Sequence, residues 1–347
     1  MPYVLTIALM ITVAALQRRR LIAFADWCLE RADQSLDAVR TRRGGDWPVA
    51  LVLLLPALAV LGVFGAAPFA YALYLSVRTL ELGEWHYVGL DHYREAIGSQ
   101  EVWRALLVTT YYAASTIPIG LLLSLSIAWQ LYRMQFGRTF FRTAYFLPYV
   151  TSAVAAATVW RVLLRPQLGG VNGFLESVGL EPQRWLLEPR GVLSLLTDGW
   201  APHWFGPSLG LACIVAFEIW HSAGFMIVVL LAAFTAIPRE LEEAALIDGA
   251  SRLQVFRHVV APLLSPVIFF LLIVGVIWAF QAFNSFYALT VGMRRPDTQN
   301  LIMLIYAQIY ENQRYGYGSA IAVLLSLGIM LLSLAQWRLA GRRVHYE

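Results

Sequence analysis

Long apolar runs separated by shorter polar stretches set the pattern of this chain. They fall at Tyr3–Leu16, Pro48–Val77, Leu106–Tyr132, Phe140–Leu164, Leu209–Ile237, Leu263–Leu289 and Tyr317–Leu339. Several exceed the ~20 residues that carry an apolar helix across a bilayer, whereas the first is near the lower limit. The pattern predicts an all-α polytopic membrane protein: a multi-helix core plus one N-terminal extra span.

Arginine placement orients the spans. Arg18, Arg19 and Arg20 follow the first apolar run. A cleaved signal peptide has its basic residues before its apolar core. The order therefore favours a retained anchor, N-terminus outside, over a surface-lying helix. Alternating the remaining segments puts 16 arginines inside and 10 outside, although the outside loops are longer in total. That bias is the one expected of cytoplasmic loops. It puts the segment at 240–262 in the cytoplasm and the C-terminus inside.

The polar segments divide the chain into an N-terminal part, 1–47, a core, 48–339, and a tail, 340–347. Within the first part, Ala25–Val39 reads equally as an amphipathic interfacial helix and as a solvated linker. The outside loops 78–105 and 165–208 are longer than tethers need, which suits docking. The second carries Pro166, Pro182, Pro189, Pro202 and Pro207 with Trp185, Trp200 and Trp204. Tryptophan is common at membrane boundaries.

Composition narrows the function classes. The 347 residues are 59% hydrophobic and 14% charged, with mean hydropathy +0.61, against about 25% charged in soluble domains. All 26 basic residues are arginine. A P-loop needs a lysine to reach the β- and γ-phosphates, so an ordinary site of that kind is excluded and any ATP work falls to another subunit. Cys28 and Cys213 are isolated and report nothing firm on redox compartment.

The segment 238–266 is the most informative. Pro238 marks a helix start, and Glu240, Glu242 and Glu243 suit a helix N-terminus. Ala244 and Ala245 are small enough for close approach by a partner. Asp248-Gly249 forms a break, because glycine takes positive φ readily. A second helix carries Phe256, and Pro262 and Pro266 re-aim the chain into the membrane. The expected product is a helix–turn–helix elbow; an ordinary capped loop fits the composition as well.

Polar residues inside apolar runs mark function by default. Glu218 is the one carboxylate well inside a span. His221, three residues on, shares its helix face. The two can pair, line a translocation path, face a partner subunit or simply support packing. Gln281 and Asn284 are also three apart, among Trp278, Phe280, Phe283 and Tyr287. Aromatic planes beside amides suit sugars; interhelical glue is the other reading.

Glu243-Ala244-Ala245, Asp248-Gly249-Ala250, Phe256 and Pro262 together resemble the EAA loop of the membrane subunits of bacterial ATP-binding-cassette importers. Ala261 departs from the usual Leu before the proline. Further matches are Leu55-Pro56 with Pro68, Val88-Gly89-Leu90 with Tyr93, Phe146-Leu147-Pro148 with Trp160 and Gly169–Asn172, and Phe283 through Thr290. His92 stands where the family has Asn. A usual Gly-Gly-Pro is broken into Gly292-Met293-Arg294-Arg295-Pro296. The resemblance covers about residues 48–339 and is greatest to the larger permease subunit of the maltose and glycerol-3-phosphate type.

That resemblance implies a six-helix type I importer core and a carbohydrate or polyol permease of the bacterial cytoplasmic membrane. It implies that Glu243, Ala244, Ala245, Asp248, Gly249, Ala250, Phe256 and Pro262 serve a coupling helix seated on an ATPase. The tentative substrate path is Glu218, His221, Trp278, Gln281, Asn284 and Tyr287. The implied partners are a second permease subunit, an ATP-binding subunit dimer that holds ATP and Mg, an extracytoplasmic solute-binding protein and the bilayer, with no nucleic acid. No catalytic, metal or cofactor site is expected in this chain. The alternative is an ion-coupled secondary transporter using Glu218 and His221. An intramembrane enzyme lacks the HExxH, GxSxG or paired aspartates it would need.

Overall fold

The run Leu209–Ala236 is apolar on every face, and such a helix belongs in a protein interior or a membrane. The computed structural model describes residues 47–167, 169–197, 206–290 and 295–340. They fall into two units, divided between Tyr71 and Ala72. The first unit holds α1 (Trp47–Leu61), a π-turn at Gly62–Ala66 and the start of α2 (Ala67–Ser76). Its apolar stretch Leu53–Ser76 has the length and composition of a membrane span.

The second unit opens with a hairpin, β1 (Arg78–Glu81) antiparallel to β2 (Glu84–Tyr87), with Arg78 opposite Tyr87 and Glu81 opposite Glu84. Leu82 and Gly83 both take positive φ, 51° and 88°, as a two-residue turn that keeps the strand twist requires. Helices α3 (Asp91–Gly98) and α4 (Gln100–Arg133) follow. Next come α5 (Arg138–Val150), α6 (Ala153–Leu163), α7 (Gly170–Ser177), α8 (Val192–Leu196) and α9 (Leu209–Ala236). The elbow pieces are α10 (Arg239–Ile247), α11 (Arg252–Val255), a π-turn at Phe256–Val260 and α12 (Ala261–Leu263). The chain closes with α13 (Ser265–Phe280), α14 (Asn284–Thr290), α15 (Leu301–Tyr306), a π-turn at Ala307–Glu311 and α16 (Tyr315–Ala340).

Among the described residues, four helices have the length to cross a membrane, and six spans result if each of two bent pairs counts as one. The expected first span at Tyr3–Leu16 and the helix at Ala25–Val39 lie outside the described residues, as do Trp200, Pro202 and Trp204. Two runs depart from the single spans that hydropathy suggests. Phe140–Leu164 turns through 94° between α5 and α6. Pro148 removes one backbone donor in the last turn, and Thr151 and Ser152 become extended. Leu263–Leu289 is broken as well: α13 ends at Phe280 and α14 begins at Asn284. Gln281 and Asn284 therefore flank a break and do not share one helix. The chain enters α13 through a 65° bend after Leu263, between Pro262 and Pro266.

Helix α9 is the centre of the unit. It packs on α4, α5, α6, α13 and α14, and on the 3₁₀ turn Trp185–Leu187. In lipid, no hydrophobic driving force pulls helices together, so close packing and hydrogen bonds must do it. Small residues set the approach. A Cβ on Gly224 would lie 2.5 Å from the Tyr145 carbonyl oxygen and 2.9 Å from the Phe146 Cα. Against α4, Gly120 leaves room: a Cβ there would meet Ile219 at 3.9 Å.

The hairpin, α3 and the start of α16 are held together by polar contacts. Arg314 donates to both carboxylate oxygens of Glu95 at 2.7 Å and lies 4.2 Å from the Tyr317 ring centroid. His92 bonds the Arg78 carbonyl at 3.2 Å. This contact ties α3 to the hairpin. A Cβ on Gly316 would fall 1.9 Å from that same carbonyl oxygen.

Gly224 of α9 and Gly120 of α4 give a matched test. Gly224→Ala should lower the stability of the detergent-purified protein by about 1–3 kcal/mol, because backbone faces backbone there. Gly120→Ala should change it by less than about 0.5 kcal/mol. Thermal unfolding followed by intrinsic fluorescence reads both; equal shifts would refute the close-approach argument.

Candidate functional site

The elbow at 238–266 is built from two back-to-back caps. Helix α10 ends with Gly249 at φ 82°. The Gly249 N–H donates to the Leu246 carbonyl at 3.1 Å and the Ala250 N–H to the Ala245 carbonyl at 3.0 Å. These two bonds are the Schellman pattern, which satisfies carbonyls a helix end would otherwise leave open. Ser251 then starts α11 with a capping box: its hydroxyl accepts from the Gln254 N–H at 3.4 Å, and the Gln254 side chain accepts from the Ser251 N–H at 2.7 Å. The S-x-x-Q spacing that announces this box was legible in the sequence.

Below the elbow is an aromatic seat. Trp129 and Tyr132 from the end of α4, Phe234 from α9 and Phe256 from the elbow pack with ring centroids 5.0–6.0 Å apart. The Arg133 guanidinium lies 4.5 Å from the Trp129 ring centroid. Val255, Val260 and Leu264 are buried in the same cluster, and Ala245 and Ala250 pack against it.

This seat sorts the sequence-named residues. Phe256 and Pro262 are partly buried, and Phe256 works as an anchor. Ala245 packs inward, so of the two alanines only Ala244 is open to a partner. Glu242 is turned inward: it accepts from the Tyr132 hydroxyl at 3.1 Å and lies 4.0 Å from Arg133. Glu243 faces out and makes no hydrogen bond or ion pair among the described residues. Asp248 and Gly249 are exposed beside it. Ile247 and Leu253, which the sequence reading passed over, are the most exposed large apolar residues of the elbow, at 85% and 75%. The exposed face of the elbow thus carries Glu243 together with Glu240 and Asp248, interspersed with arginines and with the apolar Ile247 and Leu253.

Inside the membrane, Glu218 and His221 do not pair. The Glu218 carboxylate accepts from the Ser285 hydroxyl of α14 and shares a cavity lining with Tyr112 of α4. That cavity, of about 40 Å³, is also lined by Trp278, Ser222 and Thr116. His221 meets the Thr151 carbonyl at 3.3 Å. Only a ring N–H can donate there, so the proton sits on Nε2. Ser285 and Thr151 lie 67 and 70 residues from their partners, and no local pattern could have named them.

The remaining path candidates lie on both sides of the α13–α14 break. Trp278, Gln281, Asn284 and Tyr287 are all exposed. The side chains of Gln281 and Asn284 make no hydrogen bond among the described residues. At the break itself, the buried Asn300 side chain donates to the Ala282 carbonyl at 2.6 Å and accepts from the Met303 N–H at 2.9 Å. The Leu301 N–H donates to the Thr109 hydroxyl at 3.0 Å. The break is thereby stitched to α15 and α4.

The loop after α6 is organised by Asn172. Its amide donates to the Pro166 and Gln183 carbonyls, each at 2.9 Å, and its carbonyl accepts from the Gln183 N–H at 3.1 Å and the Trp185 indole at 2.7 Å. A Cβ on the preceding Gly169 would sit 2.3 Å from the Arg165 carbonyl oxygen. Glu188 is clamped by Arg190, whose guanidinium donates at 2.8 and 3.2 Å. That pairing holds the Glu188 carboxyl below its ordinary range. Among the described residues, no three His, Cys, Asp or Glu side chains form a metal-ligating group.

Residues 97–345 match the family model of the binding-protein-dependent transport system inner membrane component. The chain is 30% identical over 294 residues to the trehalose/maltose transport system permease protein MalF of Thermococcus litoralis, covering 83% of this chain and 93% of that protein. It is 32% identical over 300 residues to the sn-glycerol-3-phosphate transport system permease protein UgpA of Yersinia enterocolitica, covering 85% and 95%. A chain of the bacterial alginate ABC transporter, crystallised with an alginate pentasaccharide-bound periplasmic protein, has the same fold: TM-score 0.72, 23% identity, 86% of this chain and 95% of that one.

A Cβ on Gly249 would meet nothing within 4 Å, so a substitution there is costly only through its positive φ. Gly249→Asn should be tolerated, and Gly249→Val should cost about 1–2 kcal/mol locally. Limited proteolysis of the elbow in the purified protein reads this; equal cleavage of the two variants would sink the left-handed cap.

Proposed function

Because the chain belongs to the inner-membrane components of binding-protein-dependent transport systems, an integral membrane family with the type I ABC importer fold, we propose that it forms half of the translocation path for a sugar or related polyol and is driven through its 238–266 elbow by a separate ATPase. The observation that carries this reading is the division of labour between adjacent carboxylates. Glu242 is locked to Tyr132 and Arg133, whereas Glu243 is exposed and makes no hydrogen bond or ion pair among the described residues. An exposed, unengaged carboxylate suits a cationic contact in a partner's cleft. Phe256 and Pro262 transmit the push to the spans, and Asp248, Gly249 and Ala250 hold the elbow's angle.

In this reading a dimer of ATP-binding subunits carries ATP and Mg²⁺, and their closure biases a two-state rocking of the permease pair. A second permease subunit completes the path, and an extracytoplasmic solute-binding protein docks outside. The positive-inside bias orients the elbow to the cytoplasm. Relatives named for trehalose/maltose and for sn-glycerol-3-phosphate support a polyhydroxylated solute here. Trp278, Gln281, Asn284 and Tyr287 supply the stacking planes and amides such a solute needs. An ion-coupled mechanism on Glu218 and His221 is disfavoured, because each is engaged with a different element.

Two substitutions test the two ends of this mechanism. Glu243→Lys should leave insertion intact, cut uptake by about tenfold or more and leave ATP hydrolysis running without transport. Wild-type uptake by that variant would remove the coupling role. Asn284→Ala should raise the half-saturating solute concentration of the assembled importer roughly three- to tenfold, the worth of about one hydrogen bond, with the complex still intact. Unchanged uptake kinetics would take Asn284 out of the path.

A further inference from the structure

Helix α4 is longer than a membrane needs. Its 34 residues make it about 51 Å long at the ordinary helical rise, against about 40–45 Å for a bilayer with its headgroup layers. Arg104, about one turn from the helix start, therefore lies at headgroup depth. Beside it the half-exposed Trp103 donates its indole N–H to the Ile97 carbonyl at 2.7 Å, and tryptophan is typical of that depth. Arg104, Leu107, Val108 and Tyr111 follow at the three- and four-residue intervals that put side chains on one helix face.

This face lines a pocket of about 450 Å³, bounded by Ser208 and Leu211 at the start of α9 and by three loop prolines. The wall is largely apolar, and Leu107 and Tyr111 are 56% and 43% exposed. Of the charged groups on the pocket, two are already engaged: Arg190 donates to Glu188 at 2.8 Å, and Asp297 accepts from Arg295 at 3.0 Å. Arg104 is exposed and makes no hydrogen bond or ion pair among the described residues. The start of α9 offers no rival donor. Its Leu209 and Gly210 N–H groups go to the Arg190 and Glu188 carbonyls, and the Leu211 N–H goes to the Ser208 hydroxyl. One uncompensated positive charge thus stands at the headgroup end of an apolar pocket that follows α4 about 10 Å into the span.

That combination selects an occupant with one negative charge and an apolar body. A carbohydrate needs convergent amides and hydroxyls, and no amide side chain lines this pocket. A phosphodiester carries a single negative charge and two oxygens that suit the planar guanidinium fork. A headgroup with its own ammonium would bring a second positive charge to Arg104, so the lipid is an anionic one. We infer that the pocket is a site for one anionic phospholipid, with its phosphate on Arg104 and an acyl chain along Leu107, Tyr111 and Leu211. The site depends on the chain's place in a membrane and not on which solute it moves.

The full-length chain, purified in detergent with the subunits that accompany it, is titrated separately with phosphatidylglycerol, phosphatidylethanolamine and sn-glycerol-3-phosphate. Native mass spectrometry counts bound lipid, and thermal unfolding reads protection. Phosphatidylglycerol should bind about fivefold more tightly than phosphatidylethanolamine and raise the unfolding temperature. Arg104→Gln should weaken phosphatidylglycerol about fivefold, the worth of one basic contact, and bring the two lipids level. Arg104→Lys should keep most of the preference. Leu107→Asp, at an exposed position, should weaken both lipids while leaving unfolding in lipid-free detergent unchanged. Arg142→Gln, at an exposed arginine of α5, should leave lipid binding as it was. Equal binding of the two lipids by the wild type, undiminished phosphatidylglycerol binding by Arg104→Gln, or an equal loss with Arg142→Gln would each overturn the site. Equal protection by sn-glycerol-3-phosphate would make it a site for free phosphate groups and overturn the lipid. A lipid held by the chain alone but displaced by a second permease subunit would make this face a subunit contact and overturn it as well.

Discussion

The packing of α9 against its neighbours is the constraint from which the rest of the molecule follows. Gly224 lets the α9 backbone lie directly on the Tyr145–Phe146 backbone of α5. On other faces α9 meets α4, α6, α13 and α14. A helix enclosed in this way cannot shift alone, because packed interiors respond by moving as bodies. Its two polar residues work on the neighbours. His221 gives a donor to the Thr151 carbonyl freed by the α5–α6 bend, and Glu218 holds Ser285 just past the α13–α14 break. Non-helical backbone at membrane depth is tolerated only where protein or a water-filled cavity receives it. Helix α9 supplies part of that reception to both breaks.

The elbow extends the same logic to the segment 238–266. An exposed elbow keeps one shape only if it is stiff. Here the stiffness has named sources: the Schellman bonds at Gly249, the capping box at Ser251 and Gln254, and the Phe256 ring in its aromatic seat. Caps of this kind are worth about 1 kcal/mol each, and edge or offset aromatic pairs about 0.5–1.5 kcal/mol. Their sum is comparable with the few kcal/mol that separate alternative states of a switching protein. Displacing the outer face of the elbow then costs less through motion of α4 and α9 than through unravelling of the elbow.

Hydropathy reported lengths well and directions poorly. Leu209–Ala236 was legible because an apolar run of that size has one solution in a membrane. The elbow was legible because Pro238, Gly249 and the acidic first turn are local signals with local causes. The two breaks were not. Phe140–Leu164 and Leu263–Leu289 are apolar on both sides of their bends, and hydropathy cannot sense a turn whose freed carbonyl is satisfied 70 residues away. The hairpin at 78–87 sits between these cases. Its Leu82-Gly83 turn was readable, but Leu82 takes φ 51°, a conformation no propensity assigns to leucine. Glu218 was rightly singled out by its charge, yet its neighbours Ser285 and Tyr112 meet it only in the folded chain. The inward turn of Glu242 beside the outward Glu243 was equally invisible, since it depends on Tyr132 lying on another helix.

The broken region also explains why polar chemistry gathers at one depth. A continuous α13 would have satisfied all its own backbone groups and offered the membrane interior nothing but side chains. Ending it at Phe280 frees backbone groups at Gln281–Phe283. Asn300 takes the Ala282 carbonyl and in the same contact caps α15, so the repair joins two interrupted segments. Thr109 from α4 closes the other side at the Leu301 N–H. What remains unpaired among the described residues is the outward set, Gln281 and Asn284. The backbone cost of the break is therefore met by Asn300, while the amides of Gln281 and Asn284 stay exposed. A single hydrogen-bonded residue, Asn300, keeps the break from being an unsatisfied defect in an apolar run.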